Sequence, residues 1–412
     1  MPSDDSRFMA DDEIGWGAPY PGPFFGAAQI GDAEIEAVTA VLRSKSLFRY
    51  YGSAVLGMAD RFERDFAASI GVRHALGVTS GTAALRTAIA ALAIGPGSEV
   101  IVPAYTFVAT ANAVLAMGAR PIFADLDETM SISVEDVERR ITRFTRAVIA
   151  VHLQGQAARV DRLRALCDAH GISLIEDCAQ ACGTTLGGRA VGSFGHMAAF
   201  SFQQGKLLSS GEGGAVVTDD DQLIERARIF HDQGGARMPG CYPRFDQDVC
   251  FFGENLRMSE ITAAIAGVQL QRLPTLLAAL RATKKRLVAG LAETHIEIRP
   301  THDAPGDAGC CLCVYLPDLQ TRDRWLESLS GAALGVSALY RRPVPLEQLF
   351  RDARYHYGIA RLAPWRQDIW PVAESLADRS LWLPLPPGIG LEGADRIIAI
   401  IAATERLLGR SR

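Results

Sequence analysis

HALGVTSGTAALRTAIAALAI, residues 74–94, reads as a short buried strand, HALGVTS, running straight into a helix entered through Ser80, Gly81 and Thr82. The same rhythm continues downstream. SEVIVPAY (98–105) is a strand, TFVATANAVLAMG (106–118) a helix and ARPIFADLD (119–127) a strand. A helix over 134–141 precedes the strand AVIAVHLQG (147–155), the helix RVDRLRALCDAHG (159–171) and the strand ISLIEDCAQ (172–180). Buried strands alternating with crossover helices specify an α/β fold with a mostly parallel sheet and helices on both faces. Ligands of such sheets gather beyond the carboxyl ends of the strands. There this sequence sets Ser80, Gly81, Thr82, Tyr105, Thr106, His152, Asp177 and Gln180.

Outside this block the organisation is simpler. Residues 1–27, rich in Gly, Pro, Asp and aromatics, form an irregular arm whose Trp16, Tyr20, Phe24 and Phe25 are costly to expose, so it is expected to pack on the body or on a second subunit. GDAEIEAVTAVLRS (31–44) carries Ile35, Val38 and Val41 or Leu42 at helical spacing with Asp32 as a cap, and MADRFERDFAASIG (58–71) is a second helix closed by Gly71. Residues 220–231 are helical, and the loop 231–255 is long enough to be functional. MSEITAAIAGVQLQRL and LLAALRATKKRLVAGL give two helices separated by Pro274, with a hinge in the second. THIEIRP, CCLCVYLP and LGVSALYR as strands, with helices over 321–330 and 392–408, make a smaller α/β C-terminal domain. The division is an arm at 1–27, a large domain at 28–280 and a small domain at 281–412.

Composition excludes several classes of function. The 412 residues are 48% hydrophobic, enough for one large or two moderate cores. Lys and Arg total 42 against 47 Asp and Glu, a net charge of −5 without a basic run, which argues against nucleic acid as partner. The acidic, polar first residues are not a secretory signal, and no uninterrupted apolar stretch reaches membrane-spanning length. The 8 cysteines lack disulfide-ladder or zinc spacing and are expected as reduced thiols of a cytoplasmic protein, with no metal.

SFQQGKLLSSGEGGAVVT (201–218) holds the chemistry-bearing lysine, Lys206, between a strand end and a glycine turn. Three roles fit it: snorkelling from a loop, pairing with Glu212, or an amine held for Schiff-base chemistry. Asp177 fits a helix cap or ion pair, and equally a carboxylate that keeps a pyridine nitrogen protonated. The amides and hydroxyls of Ser80–Thr82 fit an ordinary capping turn or a phosphate at a helix N-terminus. Neither a P-loop nor a GxGxxG pattern occurs, so a phosphate on a cofactor other than a nucleotide fits better. Tyr105 could stack on a flat ring or serve the core, and His152 could line the substrate pocket or be a satisfied core histidine. Arg244 and Arg257 carry the guanidinium fork that grips a donor carboxylate, though a solvated or salt-bridged arginine is the commoner use.

Taken together, VTSGTAALRTAI, VPAYTFVAT, VHLQG, IEDCAQACGT, GSFGHMAAFSFQQGKLLSSGEGGAVVTDD and GENLRMSEITAAIAGVQL resemble the DegT/DnrJ/EryC1/StrS family over nearly the whole chain. These are fold-type I, pyridoxal 5′-phosphate-dependent sugar aminotransferases. The resemblance implies a large domain with a mostly parallel seven-stranded sheet, a smaller α/β domain, and a homodimer with shared active sites. It implies that Lys206 forms the Schiff base, Asp177 pairs with the pyridine nitrogen and Gln180 approaches the ring hydroxyl. Ser80, Gly81, Thr82 and Ser201 would bind the phosphate, Tyr105 would cover the ring, and Asn255 would reach the phosphate in the other subunit.

Two departures bear on the substrate. Gln203-Gln204-Gly205 precedes Lys206 where nucleotide-sugar members carry His-Pro, a version similar to the scyllo-inosose aminotransferase branch and to the aminohydroxybenzoate synthase branch. Tyr340 precedes PVPLEQLF, with Glu347 at the family's usual histidine. Gln204 and Tyr340 therefore join His152, Arg244 and Arg257 as substrate-facing residues. The expected reaction moves an amino group from glutamine or glutamate to a cyclitol or sugar-like ketone in antibiotic or other secondary metabolism. A nucleotide-linked keto sugar is the alternative acceptor, and a cofactor-binding regulatory or structural dimer the non-catalytic alternative.

Overall fold

The computed structural model describes residues 20, 22, 25–236, 250–347 and 369–409. Most of the arm and Arg244 lie outside these, but Tyr20 and Phe25 do pack on the body: Phe25 is buried in the core, and the Tyr20 hydroxyl donates to Pro384 O at 2.5 Å.

Helices α1 (Asp32–Ser44) and α2 (Met58–Ile70) precede the first strand, and α2 ends on Gly71 at φ 79°, as expected of a left-handed glycine cap. The alternation then unfolds as the sequence predicts. Strands β1 (His74–Val78), β2 (Glu99–Pro103), β3 (Arg120–Ala124), β4 (Thr145–Val151) and β5 (Ser173–Asp177) are joined through helices α3 (Gly81–Ala91), α4 (Ala109–Ala116), α5 (Val134–Arg140) and α6 (Val160–His170). A small hairpin, β6 (Thr185–Leu186) and β7 (Arg189–Ala190), leads to β8 (Met197–Ser201), β9 (Gly214–Thr218) and α7 (Asp221–His231). Side-chain oxygens start several helices where polar residues abut apolar runs: Ser80 caps α3, Ser133 caps α5 and Asp220 caps α7.

Seven strands form one sheet in the order β1-β9-β8-β5-β4-β2-β3. β9 runs against both its neighbours and the remaining pairings of β2 to β5 and β8 are parallel. With β9 reversed between them, β1 and β8 point the same way as β2, β3, β4 and β5. All six therefore deliver their C-terminal ends, and β9 its N-terminal end, to one edge of the sheet.

Helix α8 (Glu260–Leu291) is continuous through Pro274, where the sequence predicts two helices. Proline removes one N–H bond and crowds the preceding turn, but packing against α1, α2 and the C-terminal helix holds the rod, with Leu270, Leu273, Leu276, Leu277 and Leu280 buried on either side of the proline. By length and composition this helix could cross a membrane, but half of its apolar stretch is buried within the protein. Strands β10 (Glu297–Ile298), β11 (Cys311–Tyr315) and β12 (Ser380–Pro384) make an antiparallel sheet with α9 (Leu319–Gly331), α10 (Pro371–Arg379) and α11 (Gly390–Gly409) around it. The strand expected at 334–341 is reduced to a single bridge, Ser337 to Trp382, before the chain turns toward the large sheet at Tyr340. Period-2 alternation divides the small sheet between two cores. Cys311, Cys313, Tyr315 and Trp382 join the large core, whereas Leu312, Val314, Leu381 and Leu383 form a second one with Leu287, Trp325 and Ile397.

Helix α1 departs from its periodicity. Ile35 and Leu42 are 60% and 52% exposed, while Glu34 is buried, accepting hydrogen bonds from Gly31 N (2.9 Å) and Gln269 Nε2 (2.9 Å) and pairing with Arg272. A satisfied carboxylate and the fully buried Val41 face the body, while Ile35 and Leu42 face out.

Candidate active site

At the shared strand edge, Ser80 is extended and its Oγ accepts from Ala83 N at 3.1 Å. The first-turn amides of Gly81 and Thr82 have no acceptor among the described residues. Two glycines let the neighbouring strands close on this turn. A Cβ at Gly81 would lie 2.7 Å from Ser201 Cβ, and one at Gly214 would lie 2.5 Å from the Ser80 carbonyl carbon. The result is a helix N-terminus flanked by the Ser80 and Ser201 hydroxyls, a setting suited to a phosphate dianion.

Lys206 leaves the end of β8 on a loop closed by Phe202 N to Gly213 O, Gln204 N to Gly211 O and Lys206 N to Gln203 O, each 2.9 Å. It lines a cavity of about 50 Å³ together with Gln154, Gln180, Cys182, Ser201 and Cys310. Glu212 is exposed and makes no ion pair with it among the described residues. Burial holds the Lys206 ammonium below its ordinary range, partly offset by Asp177 and Cys310. Larger hollows, about 600 and 400 Å³, lie away from this edge around Phe252 and Arg49 and contain neither Lys206 nor Asp177.

Asp177 is 5% exposed at the end of β5. Its carboxylate accepts from Ala179 N (3.1 Å) and the Thr110 hydroxyl (2.9 Å). Burial pushes its pKa up, against those two hydrogen bonds and the nearby Lys206. A buried acid held, among the described residues, by two neutral donors and no bonded cation is suited to a protonated ring nitrogen, which would supply the missing positive charge. Gln180 donates from Nε2 to the Tyr340 hydroxyl (3.2 Å) and accepts at Oε1 from Gln154 Nε2 (2.9 Å). Amine, acid, amide and phosphate cradle thus fit pyridoxal 5′-phosphate.

Several expected residues stand elsewhere. Tyr105 is 1% exposed; its hydroxyl donates to Tyr340 O (3.2 Å) and accepts from Tyr340 N (3.2 Å), so it holds the 338–340 turn rather than covering a ring. Phe107, two residues on and 55% exposed, presents the open aromatic face at this edge; both residues lie past the strand's last residue, Pro103, where strand periodicity gives no signal. His152 is fully buried, with Nδ1 accepting from Ala158 N (3.1 Å) and Nε2 donating to Glu176 (3.0 Å), and so cannot face substrate. Arg257 is paired with the buried Asp232 and lies over Phe48, 5.3 Å from its centroid, which withholds its fork from a donor carboxylate. Asn255 and Gln204 are exposed, the former beside the entrance to α3, where Leu256 O accepts from Thr79 N.

Glu176, unremarked in the sequence, is a structural carboxylate. It is fully buried and accepts from Gly192, Phe194 and Gly195 amides at 2.8, 2.7 and 2.6 Å besides His152. His152, Glu176 and Cys178 lie close enough to hold a metal ion, but this carboxylate is saturated by N–H donors and the Cys178 thiol is pushed well up by burial, which suits it poorly as a ligand.

A buried amine and acid at the C-terminal edge of this seven-stranded sheet define an aminotransferase of the pyridoxal-phosphate-dependent class. The chain belongs to the DegT/DnrJ/EryC1/StrS aminotransferase family, whose profile matches residues 28–402. It is 44% identical over 223 residues to GDP-perosamine synthase of Vibrio cholerae, covering 54% of this chain and only 59% of that relative. To L-glutamine:2-deoxy-scyllo-inosose aminotransferase of Streptomyces kanamyceticus it is 36% identical over 333 residues, 77% of this chain and 75% of the relative. The crystal structure of S. venezuelae DesV in complex with a ketimine intermediate superposes with a TM-score of 0.77 at 34% identity, covering 89% of this chain and 93% of DesV.

Proposed function

We propose that this enzyme binds pyridoxal 5′-phosphate at Lys206 and transfers an amino group from glutamine or glutamate to a ketone of a polyhydroxylated ring, a cyclitol or a related sugar, in secondary metabolism. The observation that carries the reading is the convergence of Lys206, Asp177, Gln180 and the Ser80–Thr82 turn on one strand edge. Bound there, the cofactor supplies an electrophilic aldehyde and an electron-accepting ring. Lys206 Nζ, whose hold on its proton is weakened by burial, would take and return the proton at the donor α-carbon. Asp177 would hold a proton at the ring nitrogen, Gln180 Nε2 would donate to the ring hydroxyl, and Ser80, Gly81, Thr82 and Ser201 would anchor the phosphate.

For the acceptor, the support is chemical. The residues lining the Lys206 cavity include the amides of Gln154 and Gln180, with Lys206 as the one cation among those described, an inventory that suits neutral hydroxyls. Exposed Gln203 and Gln204 stand beside it in place of His-Pro. The second reading, a nucleotide-linked keto sugar, is favoured by the likeness to GDP-perosamine synthase. Turnover of free keto cyclitols against nucleotide-linked 3-keto and 4-keto sugars separates the two.

Apolar residues without cover in the single chain support a homodimer: Ile30, Ile35, Leu42, Leu47, Tyr51 and Val55 are each more than a third exposed, and Phe252 is 76% exposed. Asn255 and Thr82, both open, would then meet across the interface. Free, buried thiols fit a reducing, cytoplasmic setting. The cofactor claim is tested by borohydride reduction followed by peptide mass spectrometry. An adduct on Lys206 is expected, and an adduct on another lysine, or on none in saturated protein, would overturn the reading.

A further inference from the structure

We infer that Gln154 is a positioning residue that sets which end of the Gln180 amide faces the cofactor. Gln154 is one of few non-glycine residues in the left-handed region, at φ 52° and ψ 48°. That conformation is disfavoured for a long side chain, and five hydrogen bonds around it keep it in place. Leu153 O accepts from Arg299 Nη1 (3.2 Å) and Gln156 N (3.2 Å); Gly155 N donates to Gln180 O (2.9 Å); Gly155 O accepts from Ala308 N (2.9 Å) and the Thr184 hydroxyl (3.0 Å).

The turn so fixed brings the Gln154 amide against that of Gln180, with Gln154 Nε2 2.9 Å from Gln180 Oε1. A glutamine amide has nearly the same shape either way round, so only its partners decide which end points where. With its oxygen occupied by Gln154, Gln180 must offer its N–H group on the other side, where it meets the Tyr340 hydroxyl at 3.2 Å. A ring phenolate requires that donor; a reversed amide would set oxygen against oxygen.

The inference rests on the reading of Gln180 as the group facing the ring hydroxyl, and the test separates the two. Full-length protein is stripped of cofactor and titrated with pyridoxal 5′-phosphate, following the apparent Kd and the pH titration of the bound chromophore. Gln154→Leu removes the donor; Gln154→Glu replaces it with an acceptor and should turn Gln180 around. The expected rise in Kd is about threefold for the first, the size of a lost neutral hydrogen bond, and about tenfold or more for the second, the size of a reversed one to a charged group. Melting temperatures of the cofactor-free variants should match the unaltered protein. In a Gln180→Ala background Gln154→Leu should change Kd no further, since both act through one amide.

Unchanged Kd and pH titration in both Gln154 variants, a full effect surviving in the Gln180→Ala background, or a melting temperature that falls in step with affinity would each overturn the inference while leaving the cofactor assignment standing. If Gln180→Ala alone leaves binding untouched, the role assigned to Gln180 fails and takes the inference with it.

Discussion

Burial governs both functional side chains. Lys206→Ala should lower transamination by at least about 10²- to 10⁴-fold, the range of a positioned proton-transfer group, and abolish the absorbance band expected at roughly 410–430 nm. Tyr105→Phe should stay within about tenfold in kcat and lose about 1 kcal/mol of stability, because its hydroxyl only ties down the 338–340 turn. For Asp177 the folded pKa is raised by burial. Protons are then bound more tightly by the folded chain, so the group's contribution is present below the unfolded value of about 3.9 and is lost as pH rises through the folded value. Asp177→Asn should therefore raise the melting temperature of the cofactor-free protein at pH 7.5 relative to the unaltered chain while lowering kcat by about 10²-fold or more. Thermal scans of both proteins across pH 4–8, with steady-state rates, check the pair of effects. The placement of Asp177, Gln180 and Ser80–Thr82 at strand ends was legible from the alternation of strands and helices, while the roles proposed for them and for Lys206 came from the family resemblance. His152 and Arg257 were not legible: their partners, Glu176 and Asp232, are satisfied through contacts that sequence spacing does not display.

At the scale of elements, the turn into α3 depends on close approach. Gly81→Ala should destabilise the protein by about 1–3 kcal/mol and weaken cofactor binding. Adding Ser201→Gly, which removes the atom the new methyl would strike, should recover part of the stability loss in denaturant titrations. The segment carrying Asn255 is anchored at His231, whose ring is fully buried beside Arg49, Arg257, Asp232 and the Tyr50 hydroxyl. Burial and then Arg49 push its pKa down to about 3. Here the unfolded chain binds the extra proton, so stability is full above about 6.5 and is lost as pH falls toward the folded value. His231→Gln should flatten the fall in melting temperature between pH 7 and 5. Strand and helix order was readable from alternation and caps, whereas the exposure of Ile35 and Leu42 was not, since nothing local reveals that Gln269 and Arg272 would bury Glu34 instead. Pro274 misled for a similar reason: tertiary packing outweighs a local helix breaker.

For the whole molecule, the proposed homodimer with shared sites sets a complementation test. Lys206→Ala and Asn255→Ala homodimers should each be weak, yet an equal mixture refolded together should recover about a quarter of full activity, because half the dimers are hybrids with one intact site. No recovery above the sum of the parents would place Asn255 in its own subunit's site. The expected seam at residue 280 coincides with no break in the chain: α8 carries straight across it, and the second core begins near Leu287. The small sheet is a party wall, with Cys313 and Trp382 furnishing one room and Leu312 and Leu383 the other. Neither room can be let separately. A fragment cut at residue 281 would carry bare aromatic plaster on its inner side and should precipitate unless its missing neighbour is supplied.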